Sequence, residues 1–146
     1  MPWDIASFGL TMLREMADAV IYSDASGQIR FWNAGATRIF GFSEAEAIGQ
    51  SLDIIIPESL RRRHWVGYHQ TVRTGETRYG AGDLLAVPAI RKDGSRISIE
   101  FTIVPFRDAS GAMEGIAAVL RDVTARFAEI KNLRQQIRVL ETPATL

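Results

Sequence analysis

The 146-residue chain contains no cysteine, which excludes a disulfide framework, a thiolate zinc site, a cysteine nucleophile and a photochemical cysteine–flavin adduct. The same absence fits a reducing compartment, and a cytoplasmic location is expected. Net charge is also lacking. Seventeen basic residues balance 17 acidic ones, so attraction to nucleic acid, an anionic membrane or an acidic substrate cannot come from bulk charge. No apolar run approaches the roughly 20 residues of a membrane span. The segment up to Asp18 lacks the basic start, apolar middle and small-residue cleavage site of a secretory signal, so export is not supported. Histidine is scarce, with two in the chain.

What is present is a hydrophobic fraction of 47% with 23% charged residues, the balance of a single globular domain able to close its own core. Ile5, Phe8, Met12 and Met16 recur at helical steps behind Asp4, a predicted N-cap. Ala19 to Ser23 and Ile29 to Trp32 are strand-like runs joined by Asp24-Ala25-Ser26-Gly27, a hairpin signal. Asn33 can cap a short helix, and Ser43 with Glu46 reads as a capping box. A longer helix is predicted from Glu58 or Ser59 to the Thr74-Gly75 stop. Leu84 to Ile90, the alternating Ile97, Ile99, Phe101 and Ile103, and Gly115 to Leu120 make a three-strand meander. From Thr124 the pattern turns helical again, with Ile130, Leu133, Ile137 and Leu140 at coiled-coil spacing until Pro143.

The order is that of an α+β fold: a five-stranded antiparallel sheet with short helices on one face, plus amphipathic helices at both ends. The segments divide as 1–17 for the N-terminal helix, 18–124 for the domain, 125–142 for a coiled-coil-like signalling helix and 143–146 for a tail. Ile5, Phe8 and Met12, with Phe127, Ile130, Leu133, Ile137 and Leu140, are the expected homodimer interface, because a stripe two heptads long is marginal alone. No kinase, cyclase or helix-turn-helix segment is read after residue 142, so the sequence is expected to be a stand-alone signalling protein or a portion of a longer one.

No enzyme is visible. "GFSEA" lacks the second glycine of a nucleophile elbow and reads as a helix cap. Glycines 80 and 82 follow a helix and precede a strand, the reverse of a dinucleotide-binding context. Arg61-Arg62-Arg63 reads as a solvated helix face, so no nucleic-acid partner is expected. His64 and His69 are five residues apart on one helix. Their rings therefore diverge by about 140° and cannot readily share a metal, although one neutral imidazole is enough for an axial bond to haem iron.

Two stretches, "ADAVIYSDASGQIRFWNAGATRIFGFSEAEAIGQSLDIIIPE" and "RKDGSRISIEFTIVPFRDASGAMEGIAAVLRDVT", resemble the two halves of a PAS domain. The resemblance implies sensing, partner pairing and relay to an output such as a kinase or transcription regulator. Between them, "IPESLRRRHWVGYHQTVRTGETRYG" is similar to the segment of haem-binding PAS oxygen sensors that supplies the proximal histidine. That similarity implies haem b on His64 and a propionate on Arg78. It also implies a pocket lined by Trp65, Tyr68, Tyr79, Ile99, Phe101, Ile103, Val119 and Leu120. Gln70 stands where a second basic propionate partner is found, and Leu84 or Leu85 where such sensors place a distal arginine. Without that donor, bound oxygen loses about 1.5–3 kcal/mol, which favours carbon monoxide, nitric oxide or a redox role. The competing expectation is a PAS domain without haem that binds a small apolar ligand or serves only in dimerisation and docking.

Overall fold

The computed structural model describes residues 2–77, 82 and 84–142. In chain order the elements are α1 (Ile5–Glu15), β1 (Ala19–Asp24), β2 (Ile29–Trp32), α2 (Ala34–Phe40), α3 (Glu44–Ala47), a 3-10 turn (Leu52–Ile55) and α4 (Glu58–Thr74). β3 (Leu85–Ile90), β4 (Arg96–Arg107), β5 (Met113–Asp122) and α5 (Thr124–Glu141) complete the order. Among the described residues the five strands form one antiparallel sheet in the order β2-β1-β5-β4-β3. The first hairpin thus docks against the last strand, and the chain's two halves meet at β1 and β5. The architecture is the expected α+β one.

The turns follow directly from side-chain chemistry. Asp24 Oδ1 accepts from the backbone N–H of Ser26 and of Gln28, while Gly27 takes the left-handed conformation at φ 82°. The same Asp-Ala-Ser-Gly tetrapeptide recurs at 108–111, where Asp108 Oδ1 accepts from Ser110 and Ala112. The predicted caps at Asp4, Asn33 and Ser43 form, and Ser43 and Glu46 complete their capping box.

One face of the sheet carries the core. Ala19 and Ile21, Leu120, Ile97 and Ile99, and Ala89 pack there with Ile29, Trp32, Ile39, Phe40 and Ile55 from β2, the short helices and the 3-10 turn. Strand alternation sends Val20, Val119 and Thr102, which are register partners, to the opposite face. Among the described residues, α1 and α5 bury no side chain. No described helix is long and apolar enough to cross a membrane.

Asn33 ties this arrangement together. Its Oδ1 accepts from Val20 N at 2.8 Å and Ala36 N at 2.9 Å. Its Nδ2 donates to Leu13 O at 2.8 Å and Asp18 O at 3.0 Å. One buried amide thus joins α1, β1 and α2 with its full hydrogen-bonding capacity in use. Gly35, two residues along, lies so close to the backbone of Asp18 that a Cβ would sit 2.1 Å from its carbonyl oxygen. Replacing Asn33 with alanine orphans buried backbone groups at about 1–3 kcal/mol apiece. Asn33→Ala is therefore expected to cost about 2–4 kcal/mol, seen as a lower urea midpoint at an unchanged slope.

Candidate functional site

Helix α4 begins after Pro57 and ends at Gly75, whose left-handed backbone closes it as the sequence predicts. Arg61, Trp65, Tyr68 and Val72 recur on one side at steps of four, three and four residues. That side is held to its surroundings chiefly by polar contacts. Arg61 Nε donates to Ile56 O at 3.1 Å and its Nη2 to Asp53 O at 3.3 Å, which fastens the helix start to the 3-10 turn. Trp65 Nε1 donates to Asp53 Oδ1 at 2.7 Å. The Trp65 ring lies over the hairpin turn, so close that a Cβ on Gly27 would approach it to 2.2 Å.

Tyr68 reaches further in. Its hydroxyl donates to Asp24 O at 2.6 Å and meets Ser23 Oγ at 2.8 Å. Since the tyrosine proton goes to Asp24 O, Ser23 supplies the proton of the second contact. Burial is the main cause that raises the Tyr68 pKa above its ordinary value, so the hydroxyl remains a donor. Met113 and Ile116 pack against the ring from β5, with Trp65, Val72 and Ile103 around them.

His64 precedes Trp65 and is half-buried. Its ring sits edge-on to Trp65 with centroids 4.7 Å apart, and 5.7 Å from Tyr68. Nδ1 is buried and has no hydrogen-bond partner among the described residues. Burial lowers the His64 pKa below 6.5; Asp53 opposes that shift and His69 adds to it. The imidazole is accordingly neutral at pH 7, the form that binds metal. His69 is exposed and stacks on Trp65 at 5.6 Å.

The sheet residues expected around a pocket divide into two groups. Ile99 and Leu120 are buried in the main core, whereas Phe101, Ile103 and Leu85 are only half-buried. Leu85 pairs with Phe101 and so shares its face; Leu84 precedes the strand and is 61% exposed. Of the two alternatives for the distal position, Leu85 is thus the core-facing one. Val87 pairs with core-facing Ile99 and yet is 41% exposed. Among the described residues the core face is therefore well covered along β1 and β5, whereas Leu85, Val87 and Phe101 on β3 and β4 keep part of their apolar surface exposed.

Three sequence expectations are corrected or narrowed. Val119 does not share a wall with Leu120, because consecutive strand residues point to opposite faces and its partners Val20 and Thr102 lie on the far side. Leu84 lines nothing inside the core. Trp65 and Tyr68 have their polar atoms bonded to Asp53, Asp24 and Ser23, so they serve first as anchors of α4. Arg78 and Tyr79 lie outside the described residues. Sequence reasoning missed Asp53, Gly27 and Val87. Asp53 drew no reading from the sequence, Gly27 read as an ordinary turn residue, and Val87 only as part of an apolar run.

One feature of the site suits an iron ligand: the neutral imidazole of His64 has a buried nitrogen with no hydrogen-bond partner among the described residues. Among the described residues no group of three His, Asp or Glu side chains comes together to hold a metal ion.

A family model for the PAS fold matches residues 8–123, and the chain belongs to that family: it is a PAS sensory domain. It is similar to the sensor protein FixL of Bradyrhizobium diazoefficiens, with 33% identity over 128 residues covering 84% of this chain and 25% of FixL. It is also similar to the oxygen sensor protein DosP of Escherichia coli K12, with 29% identity over 124 residues covering 85% of this chain and 15% of DosP. The chain thus spans a quarter or less of these curated relatives. Among solved structures, the PAS domain of a Colwellia psychrerythraea protein superposes with a TM-score of 0.70 at 24% identity, covering 84% of this chain and 99% of that one.

The depressed His64 pKa fixes the sign of a pH effect. With its folded pKa below the unfolded 6.5, the unfolded chain binds the proton first. His64's share of stability is complete above that value and falls as the pH drops through the window between the two pKa values. In His64→Gln this part of the acid limb is expected to flatten, as read from urea midpoints measured through that window.

Proposed function

We propose that this PAS domain holds haem b with His64 as axial ligand and relays the state of the iron through its terminal helices. The observation that carries the reading is the neutral, half-buried His64 imidazole with its unpartnered nitrogen, in the segment that resembles the proximal region of haem-binding PAS oxygen sensors. The similarity to a relative whose name is oxygen sensor protein supports it. Haem bound here would supply an iron able to take up a diatomic gas or to change its oxidation state.

The chain's own residues set the terms. His64 would donate the axial bond, with α4 kept in place by Trp65 and Tyr68. Arg78 would pair with a propionate through its planar fork. Leu85, Phe101 and Ile103 would give apolar contact and keep water from the iron. Leu85 offers no hydrogen bond to a polarised oxygen, a loss of about 1.5–3 kcal/mol, so carbon monoxide, nitric oxide or a change of redox state is favoured as the signal. Titration of haem into the purified protein should give a Soret band that His64→Ala abolishes. A band unchanged in the variant removes His64 from the ligand position.

For output, the domain would act as a homodimer. Ile5, Phe8 and Met12 on α1, with Phe127, Ile130, Leu133, Ile137 and Leu140 on α5, are all exposed. These stripes make two alternative packings against a second copy the element that a ligand can bias. They equally favour a second reading, a docking module without cofactor, in which assembly proceeds and no Soret band forms. Leu133→Asp and Ile137→Asp are expected to turn a dimer at micromolar concentration into a monomer in sedimentation. Under the haem reading their Soret band is unchanged.

A further inference from the structure

Helix α5 has 18 residues and buries none of them against its own domain. A helix of that length, about 27 Å, is marginal in water without a partner. Its root is fixed to the sheet: Ser98 O on β4 accepts from Val123 N at 2.9 Å, and Thr124 Oγ1 accepts from Ser98 N at 3.0 Å. Ala19 pairs with Leu120, and Arg121 Nε donates to Asp18 Oδ2 at 3.1 Å, so the end of α1 and the start of α5 lie at one end of the sheet. The exposed stripe of α5 also carries a register. Ile130 and Ile137 hold one set of seam positions and Leu133 and Leu140 the other, the alternation of β-branched residue and leucine that favours two parallel strands. Glu129 and Arg134 flank this seam on opposite edges. Both are exposed, and among the described residues neither is in an ion pair.

Resting on the homodimer reading above and independent of haem, we propose that α5 pairs with α5 of a second copy as a parallel, in-register, two-stranded coiled coil in which Glu129 of each chain meets Arg134 of the other. In a parallel pair the residue just before an Ile position faces the residue five places further along the other strand, and here those two residues carry opposite charge at both symmetry-related sites. Like also meets like in the seam, Ile against Ile and Leu against Leu. An antiparallel pair would set each Ile against a Leu and keep Glu129 and Arg134 on different edges, where they do not meet. Parallel pairing brings the two roots of α5 together, with helix axes about 8–10 Å apart. Because α1 ends beside that root, its exposed Phe8 and Met12 lie on the same end of each domain as the coil begins. The coil and α1 thus form one continuous surface for the second copy, and the direct tie at Ser98 leaves no slack between the sheet and the coil.

The test uses the full chain, which has no cysteine of its own, so an introduced one reports on its position alone. Leu140→Cys is expected to form a disulfide with its own copy under mild oxidation. In an antiparallel pair Leu140 would lie opposite Ile130 and about 15 Å from its own copy, beyond the roughly 7 Å between Cα atoms that a disulfide can span. Sedimentation supplies the second arm. Glu129→Arg and Arg134→Glu should each raise the dimer dissociation constant roughly tenfold by placing like charges together, and Glu129→Arg/Arg134→Glu should restore it. Since α5 buries no residue in its own domain, these substitutions leave the fold intact. A Leu140→Cys dimer that stays uncrosslinked, while a mixture of Ile130→Cys and Leu140→Cys chains joins across the two, overturns the parallel arrangement. A double charge reversal no tighter than the single ones overturns the Glu129–Arg134 pairing. A wild-type chain that is monomeric at micromolar concentration overturns the homodimer reading itself, and the failures are thereby told apart.

Discussion

The hydrogen bond from the Trp65 indole to Asp53 is the constraint on which the site depends. Among the described residues, Tyr68 is the one α4 residue that is buried, so this helix is not held by a broad apolar face. Polar contacts to the 3-10 turn and the first hairpin fasten it instead: Arg61 and Trp65 to the residues around Asp53, and Tyr68 to Asp24 and Ser23. Each such bond is worth only about 0.5–1.5 kcal/mol net. Their directionality matters more, because it fixes the rotation of the helix about its own axis and hence where His64 points.

With that rotation set, the chemistry of His64 follows from its surroundings. Burial outweighs the pull of Asp53 and keeps the ring neutral, while the Trp65 indole donates to one of the two Asp53 carboxylate oxygens. The sheet contributes the complementary half. Its core face is packed where β1, β5 and the short helices meet, and thins toward Leu85 and Val87 on the edge strand. The helix is tied to the first hairpin and the 3-10 turn, while the apolar side chains of Leu85 and Val87 on the edge strand stay partly exposed.

Much of this was legible in the residues. The two Asp-Ala-Ser-Gly turns, the cap at Asn33, the capping box at Ser43 and the glycine stop at Gly75 are local devices whose geometry is written in two to four adjacent side chains. The alternation through Ile97, Ile99, Phe101 and Ile103 assigned those residues to one face, and the same rule should have separated Val119 from Leu120. The fourfold role of Asn33 was not legible beyond its cap, because Leu13, Asp18 and Val20 reach it only through the tertiary fold. Asp53 was invisible for the same reason. Its spacing to Trp65 has no helical or strand period, since the 3-10 turn and Pro57 intervene. Trp65 and Tyr68 were read as apolar lining because their rings dominate their character, whereas their single polar atoms decide where they sit.

The seat beneath the Trp65 ring carries an asymmetry into the protein's history. Gly27 is demanded twice over, once by its left-handed backbone and once by the indole that would strike any added carbon. A lineage that replaced the tryptophan would lift the second demand and leave the first in force, so the glycine would persist while its neighbour in space drifted. Comparisons of many descendants would then show one invariant and one variable column with no correlated change, and an atomic contact that shapes the site would leave no statistical trace.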